Sequence, residues 1–124
     1  MSQQLPSLSF KTSFEVEKQP VKTTFEDAVT ESVDAVLSLL GNINKQTIYR
    51  YLEKRYSIKK EEIPSNIAEF TDAFEQTFGS VAKLVEVKII ERLHRKYENF
   101  SYVTAKGEID FLEFISNFQR YMES

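Results

Sequence analysis

The sequence predicts an all-α protein of about five helices around a central one, spanning residues 81–97, preceded by an extended, strand-like N-terminal arm. Three observations carry this expectation. Apolar residues recur at three- and four-residue spacing in successive stretches of the chain. Residues suited to capping helix N-termini open several of those stretches. The isolated glycines Gly41 and Gly79 close two of them. The arm takes up residues 1–23 and the helical domain residues 24–124, with no internal repeat or second domain.

In the arm, Pro6 and Pro20 argue against a helix. Leu8, Phe10, Phe14 and Val16 lie at even spacing, interrupted by Thr12, which is the pattern of a strand with one apolar face. Two readings stand side by side: a disordered lead, or a segment docked on the domain or on a second copy. Leaving four large apolar groups in water is costly, which favours docking. These four residues are the candidate interaction anchors.

The first helix opens at Thr24, with Glu26 and Asp27 against its positive end, and carries Val29, Val33, Val36, Leu37 and Leu40 on one stripe up to Gly41. Asn44 is a candidate cap for the second helix, whose core side is Ile48, Tyr49, Leu52 and Tyr56 and which ends near Ser57. The turn between the two is very short, so they should pack as neighbours. Ile58 to Pro64 reads as a polar connector anchored by Ile58 and Ile63. Asn66 then caps a helix with Ile67, Phe70, Phe74 and Phe78 on one face, ended by Gly79. The fourth helix, Val81 to Tyr97, carries Leu84, Val85, Val87, Ile89, Ile90 and Leu93, too many apolar positions for one narrow stripe, so it should be the most buried. Phe100 to Thr104 is β-prone and reads as a short strand or extended loop that the arm could pair with. The last helix runs from about Ile109 to Met122, with Phe111, Phe114, Ile115, Phe118 and Met122 on one side.

Composition narrows function mostly by exclusion. The 124 residues include ten Phe and six Tyr with no Trp or Cys, and one His, at a net charge of −3. Without cysteine there is no disulfide framework and no thiolate chemistry, and one histidine cannot make a conventional zinc site. No metal and no cofactor are expected. His94 reads as a surface or boundary residue. The pairs Glu61/Glu62 and Asp110/Glu113 read as solvated acidic helix starts rather than two carboxyls facing across a cleft. The glycines are isolated, so no phosphate-cradling loop exists. No catalytic residue emerges, and the protein is not expected to be an enzyme. No apolar run approaches the roughly 18 residues of a membrane span, and the N-terminus lacks a signal-peptide pattern, so no membrane partner and a cytoplasmic location are expected.

The charges are unevenly placed. From Lys45 to Lys60 the bases Lys45, Arg50, Lys54, Arg55, Lys59 and Lys60 face only Glu53, while Glu61 to Phe78 holds Glu61, Glu62, Glu69, Asp72 and Glu75 with no base. Such blocks either pair within the molecule or form two poles that steer a partner. The basic helix 45–56 also has a sharper alternative reading, a nucleic-acid-binding regulator using Lys45, Arg50, Lys54 and Arg55. The acidic chain as a whole weighs against it. A third reading, an apolar-ligand sensor lined by Phe70, Phe74, Phe78, Phe114 and Phe118, competes with a plain aromatic core, which needs no cavity.

Leu39-Leu40-Gly41, Ile48-Tyr49-Arg50-Tyr51-Leu52-Glu53-Lys54, Ile58-Lys59-Lys60-Glu61-Glu62-Ile63-Pro64, Phe70 through Phe78-Gly79, and Ile89-Ile90-Glu91-Arg92-Leu93 follow in an order that resembles an archaeal family of small helical modules, the Nitrosopumilus output domain. The resemblance covers about residues 33–118. Its most specific part is Lys60-Glu61-Glu62-Ile63-Pro64, followed by an aromatic and then Phe78-Gly79. It implies an archaeal cytoplasmic origin, an all-helical fold and a signalling-output role exercised by contact, and it brings no catalytic residues. The arm lies outside it. The function expected from all of this is a non-catalytic protein-interaction or signalling-output module that self-associates as a homodimer or higher homo-oligomer.

Overall fold

A computed structural model describes residues 23–102 and 110–124. The described residues form five α-helices: α1 (Phe25–Ser38), α2 (Asn42–Tyr56), α3 (Ile67–Phe78), α4 (Ser80–Lys96) and α5 (Phe111–Glu123). There is no strand among the described residues. The arm residues Leu8, Phe10, Phe14 and Val16, and the end of the β-prone stretch at Val103 and Thr104, lie outside them. Phe100 to Tyr102 carry no regular structure.

Local chemistry sets most of the helix ends. The Thr24 hydroxyl accepts the Asp27 N–H at 3.1 Å and starts α1. The helix stops at Ser38, two residues before the expected end of its apolar stripe, as Leu39 and Leu40 tighten into a turn on Val36 and Leu37. Leu40 therefore leaves the core and is 41% exposed. Gly41 bends the chain with φ 100°, a value that favours glycine, and its carbonyl takes the first bond of α2 from Lys45. Asn44 is thus inside the helix rather than its cap, and its amide donates to the Leu40 carbonyl at 2.6 Å. Ser57, at φ 58°, ends α2.

Ile58 and Ile63 are buried as the sequence predicts. The connector between α2 and α3 is two 3₁₀ turns, Lys60–Glu62 and Pro64–Asn66, with Pro64 in the opening position where its missing N–H is not needed. Asn66 precedes α3 but makes no side-chain cap bond. Asp110 caps α5, its carboxylate accepting the Glu113 N–H at 3.0 Å.

The core runs through all five helices, with Val29, Val33, Leu37, Leu52, Phe70, Phe74, Ile89, Leu93, Phe114 and Phe118 nearly or fully excluded from water. Helix α4 packs on α1, α3 and α5, with its most extensive contact to α1, which also packs on α2 and α5. The expectation that α4 is the most buried helix needs correction. It buries Ala82, Val85, Glu86, Ile89, Ile90 and Leu93 on one face, but Val81, Leu84 and Val87 on the other are 51%, 60% and 41% exposed. Its neighbours cover one side only, and the surplus apolar positions face outward. Past α4, Phe100 is buried with its ring within about 5 Å of Phe114, Phe118 and Tyr121, and this aromatic cluster joins α4 to α5.

Candidate interaction surface

Among the described residues, the exposed large apolar side chains fall mainly in two places, with Leu112 and Tyr121 of α5 each 37% exposed besides. At the α1–α2 corner, Leu39 is 71% and Ile43 80% exposed, beside the partly exposed Leu40 and Tyr51. The second place is the outer face of α4, with Val81, Leu84 and Val87. Leu39 also shares a depression with Lys88, Glu91 and Arg95 of α4, so the corner reaches that helix. Singly, such residues are ordinary on a protein surface; several at one corner are less so.

Next to the corner lies a groove of about 440 Å³ between Leu40, Asn44, Thr47, Ile48 and Tyr51 on one side and Thr77 and Phe78 at the end of α3 on the other. Its lining is mostly hydrocarbon. Thr47 and Thr77 donate their hydroxyl protons to the Ile43 and Ala73 carbonyls of their own helices, at 2.9 and 2.8 Å. Of the five phenylalanines in the ligand-sensor reading, Phe78 alone lines this groove; Phe70, Phe74, Phe114 and Phe118 are packed in the core.

The structure divides the four basic residues of the nucleic-acid reading. Arg50, Lys54 and Arg55 are exposed. The Lys45 side chain is 13% exposed and its ammonium bonds Asp34 at 3.2 Å, so it is occupied inside the domain. Lys60 reaches the same carboxylate at 3.1 Å, and the Tyr49 hydroxyl donates to it at 3.0 Å. Burial works against the charged form of Asp34, yet Lys60, Tyr49 and Lys45 together hold it below the ordinary carboxylate value. Burial, and then the hydrogen bond to Asp34, push the Tyr49 phenol up. Arg50 shares its depression with Lys59 and Lys60 and with the acids Glu53 and Glu61, so the positive field there is partly offset. None of the ion pairs among the described residues joins the basic block to the acidic one. The bases that are paired go to Asp34, while Arg92 and Lys96 hold Glu31 on α1.

Sequence reasoning missed Glu86. It lies on the core face of α4, 4% exposed, and one of its carboxyl oxygens has no hydrogen-bond partner among the described residues. Lys83 stands 3.0 Å from Glu75 and 3.9 Å from Glu86, bridging the two acids. Burial, followed by the neighbouring Glu75, raises Glu86 to about 8, while Glu86 and Lys83 hold Glu75 below its ordinary value. The pair keeps one proton between two carboxyls. Because Glu86 is shut away from solvent, the arrangement can store a proton but offers a substrate no approach. The available signal was position: Glu86 follows Ala82 and precedes Ile90 at four-residue spacing, on the core stripe.

His94 is exposed, with its ring edge-on to Phe114 at 5.2 Å, as a boundary residue would be. Among the described residues no group of three or more His, Cys, Asp or Glu side chains could hold a metal ion, and no helix is long and apolar enough to cross a membrane. No family model, no curated protein and no solved structure matches this chain.

Proposed function

We propose that this domain is a non-catalytic interaction module that works by burying apolar surface against another protein, in the first place a second copy of itself. One observation carries the reading: Leu39, Leu40, Ile43 and Tyr51 stand exposed together at one corner of the domain, next to an apolar groove. Large aromatic and aliphatic groups that become fully desolvated on contact supply most of the affinity at an interface. The exposed bases of α2 and the acids Glu26 and Asp27, which line a different depression, then set orientation and encounter rate. A module that passes a signal by contact, as the resemblance to an output domain implies, needs no more than this.

The test is the solution mass by size-exclusion chromatography with light scattering, at low and high salt, on the full chain and on a chain starting at Val21. Among the described residues the buried ones fall between Phe25 and Phe118, so the deletion removes none of them. The expected result is an assembly weakened by the deletion with helical content nearly unchanged. A monomer in both chains at both salts would overturn self-association.

A further inference from the structure

We propose that the groove between the α1–α2 corner and the end of α3 receives this chain's own N-terminal arm, with Leu8, Phe10, Phe14 and Val16 seating against Leu40, Ile48, Tyr51 and Phe78. The proposal rests on the self-association reading for its use in assembly, and it names both halves of the contact.

Three observations support it. The first is chemical match. The groove walls are apolar, whereas the depressions beside α1 and on the outer side of α2 are lined by charged groups such as Glu26, Asp27 and Glu31, or Arg50, Glu53 and Lys59. A segment with four large apolar side chains gains most where it displaces water from hydrocarbon.

The second is the form of the occupant. A period-two segment presents alternate side chains to one surface and leaves backbone N–H groups to be satisfied. At the rim, the Thr47 and Thr77 hydroxyls donate to their own helices, so their oxygens remain able to accept from an arriving N–H.

The third is reach. The described chain begins at Thr23, just before α1, and the groove lies past the far end of that helix. The 14 residues of α1 span about 21 Å. Phe14 lies nine positions before Thr23, enough for about 30 Å of extended chain, and Val16 seven positions before it, enough for about 23 Å. The arm is long enough to enter the groove of its own domain, and equally that of a second copy docked alongside.

The absence of cysteine gives a clean test. Ser13→Cys with Thr47→Cys, and Lys11→Cys with Thr47→Cys, are introduced into the full chain and treated with a short bismaleimide. The two arm positions allow for a difference in register. A cross-link is expected that Tyr51→Asp reduces roughly tenfold or more, as loss of one large apolar contact should. Phe14→Ser, a change outside residues 24–124, must reduce it likewise. A covalent dimer, also formed on mixing Lys11→Cys chains with Thr47→Cys chains, upholds the groove and self-association together. A link within one chain upholds the groove and overturns self-association through the arm. If neither pair gives a cross-link sensitive to Phe14→Ser, the groove assignment is overturned; an arm-dependent dimer seen by light scattering would then leave the self-association reading standing.

Discussion

Replacing Glu86 by Gln tests the account of the buried acid and, with it, the pH limits of the fold. In the folded chain Glu86 holds its proton up to about pH 8, against an ordinary value of 4.5. The unfolded chain ionises it near that ordinary value. The proton therefore stabilises the fold fully below about pH 4.5, and the contribution is lost as pH rises toward the folded value. While the folded state holds one proton more than the unfolded state, stability falls by about 1.4 kcal/mol per pH unit. Integrated from pH 6 to 8, the loss is roughly 2 kcal/mol. The groups facing Glu86 are Glu75 on α3, Lys83 one turn earlier on α4, and Asp110 at the start of α5. The two acids raise its value and Lys83 opposes them.

Gln keeps the shape, cannot ionise, and offers an amide donor toward Glu75. Urea unfolding followed by far-UV circular dichroism, at fixed protein concentration between pH 5.5 and 8.5, reads the effect. The native chain should lose roughly 1–2 M of midpoint between pH 6 and 8, for an ordinary dependence on urea. The Glu86→Gln curve should stay flat, lying within about 1 kcal/mol of the native chain at pH 6 and above it by roughly 2 kcal/mol at pH 8. A native profile that is flat from pH 6 to 8, or a slope that persists in the variant, would refute the reasoning.

On the acid side the sign reverses. Glu31, held down chiefly by Arg92, and Asp34, held down by Lys60, Tyr49 and Lys45 against its burial, stabilise the fold above their ordinary values; acid titration of the circular dichroism signal should show that contribution lost as pH falls below about 4. Asp34→Asn should cost about 1–2 kcal/mol in urea unfolding, since one change weakens contacts to two lysines and a tyrosine; a loss under about 0.5 kcal/mol would reduce the cluster to an ordinary surface pairing. Ser32 is fully buried and its hydroxyl has no hydrogen-bond partner among the described residues, so Ser32→Ala should raise stability by up to about 1 kcal/mol, visible as a higher thermal midpoint. Gly79 joins α3 to α4 at φ 56° and ψ −130°, where an added Cβ would meet no neighbour. Gly79→Ala should therefore destabilise by about 1–3 kcal/mol through the backbone alone.

Burial on the helices was legible wherever one apolar face meets one neighbour. Val29, Val33, Val36 and Leu37, the connector anchors Ile58 and Ile63, and Phe111, Phe114, Ile115 and Phe118 are buried as their spacing predicts. The same periodicity misjudged Leu40, Leu84 and Val87. Spacing tells which residues share a face, but not where the helix stops or whether a second face has a neighbour to cover it. For the site, the sequence offered the arm's apolar pattern and the basic block of α2, and it gave no sign of the groove, whose two walls lie some thirty residues apart between Ile48 and Phe78.

Sequence alone thus determined the helical class, the order of the elements and most of the core, because backbone propensity, capping and apolar period act over a few residues at a time. Tertiary structure decided what depends on bringing distant residues together. It drew Lys45 and Lys60 from two different elements onto Asp34, enclosed Glu86 against Glu75, and left Leu39, Ile43 and Leu84 facing water. Coulomb attraction and desolvation depend on distance in space, and a chain of this composition permits many pairings that only the packed arrangement of the five helices selects.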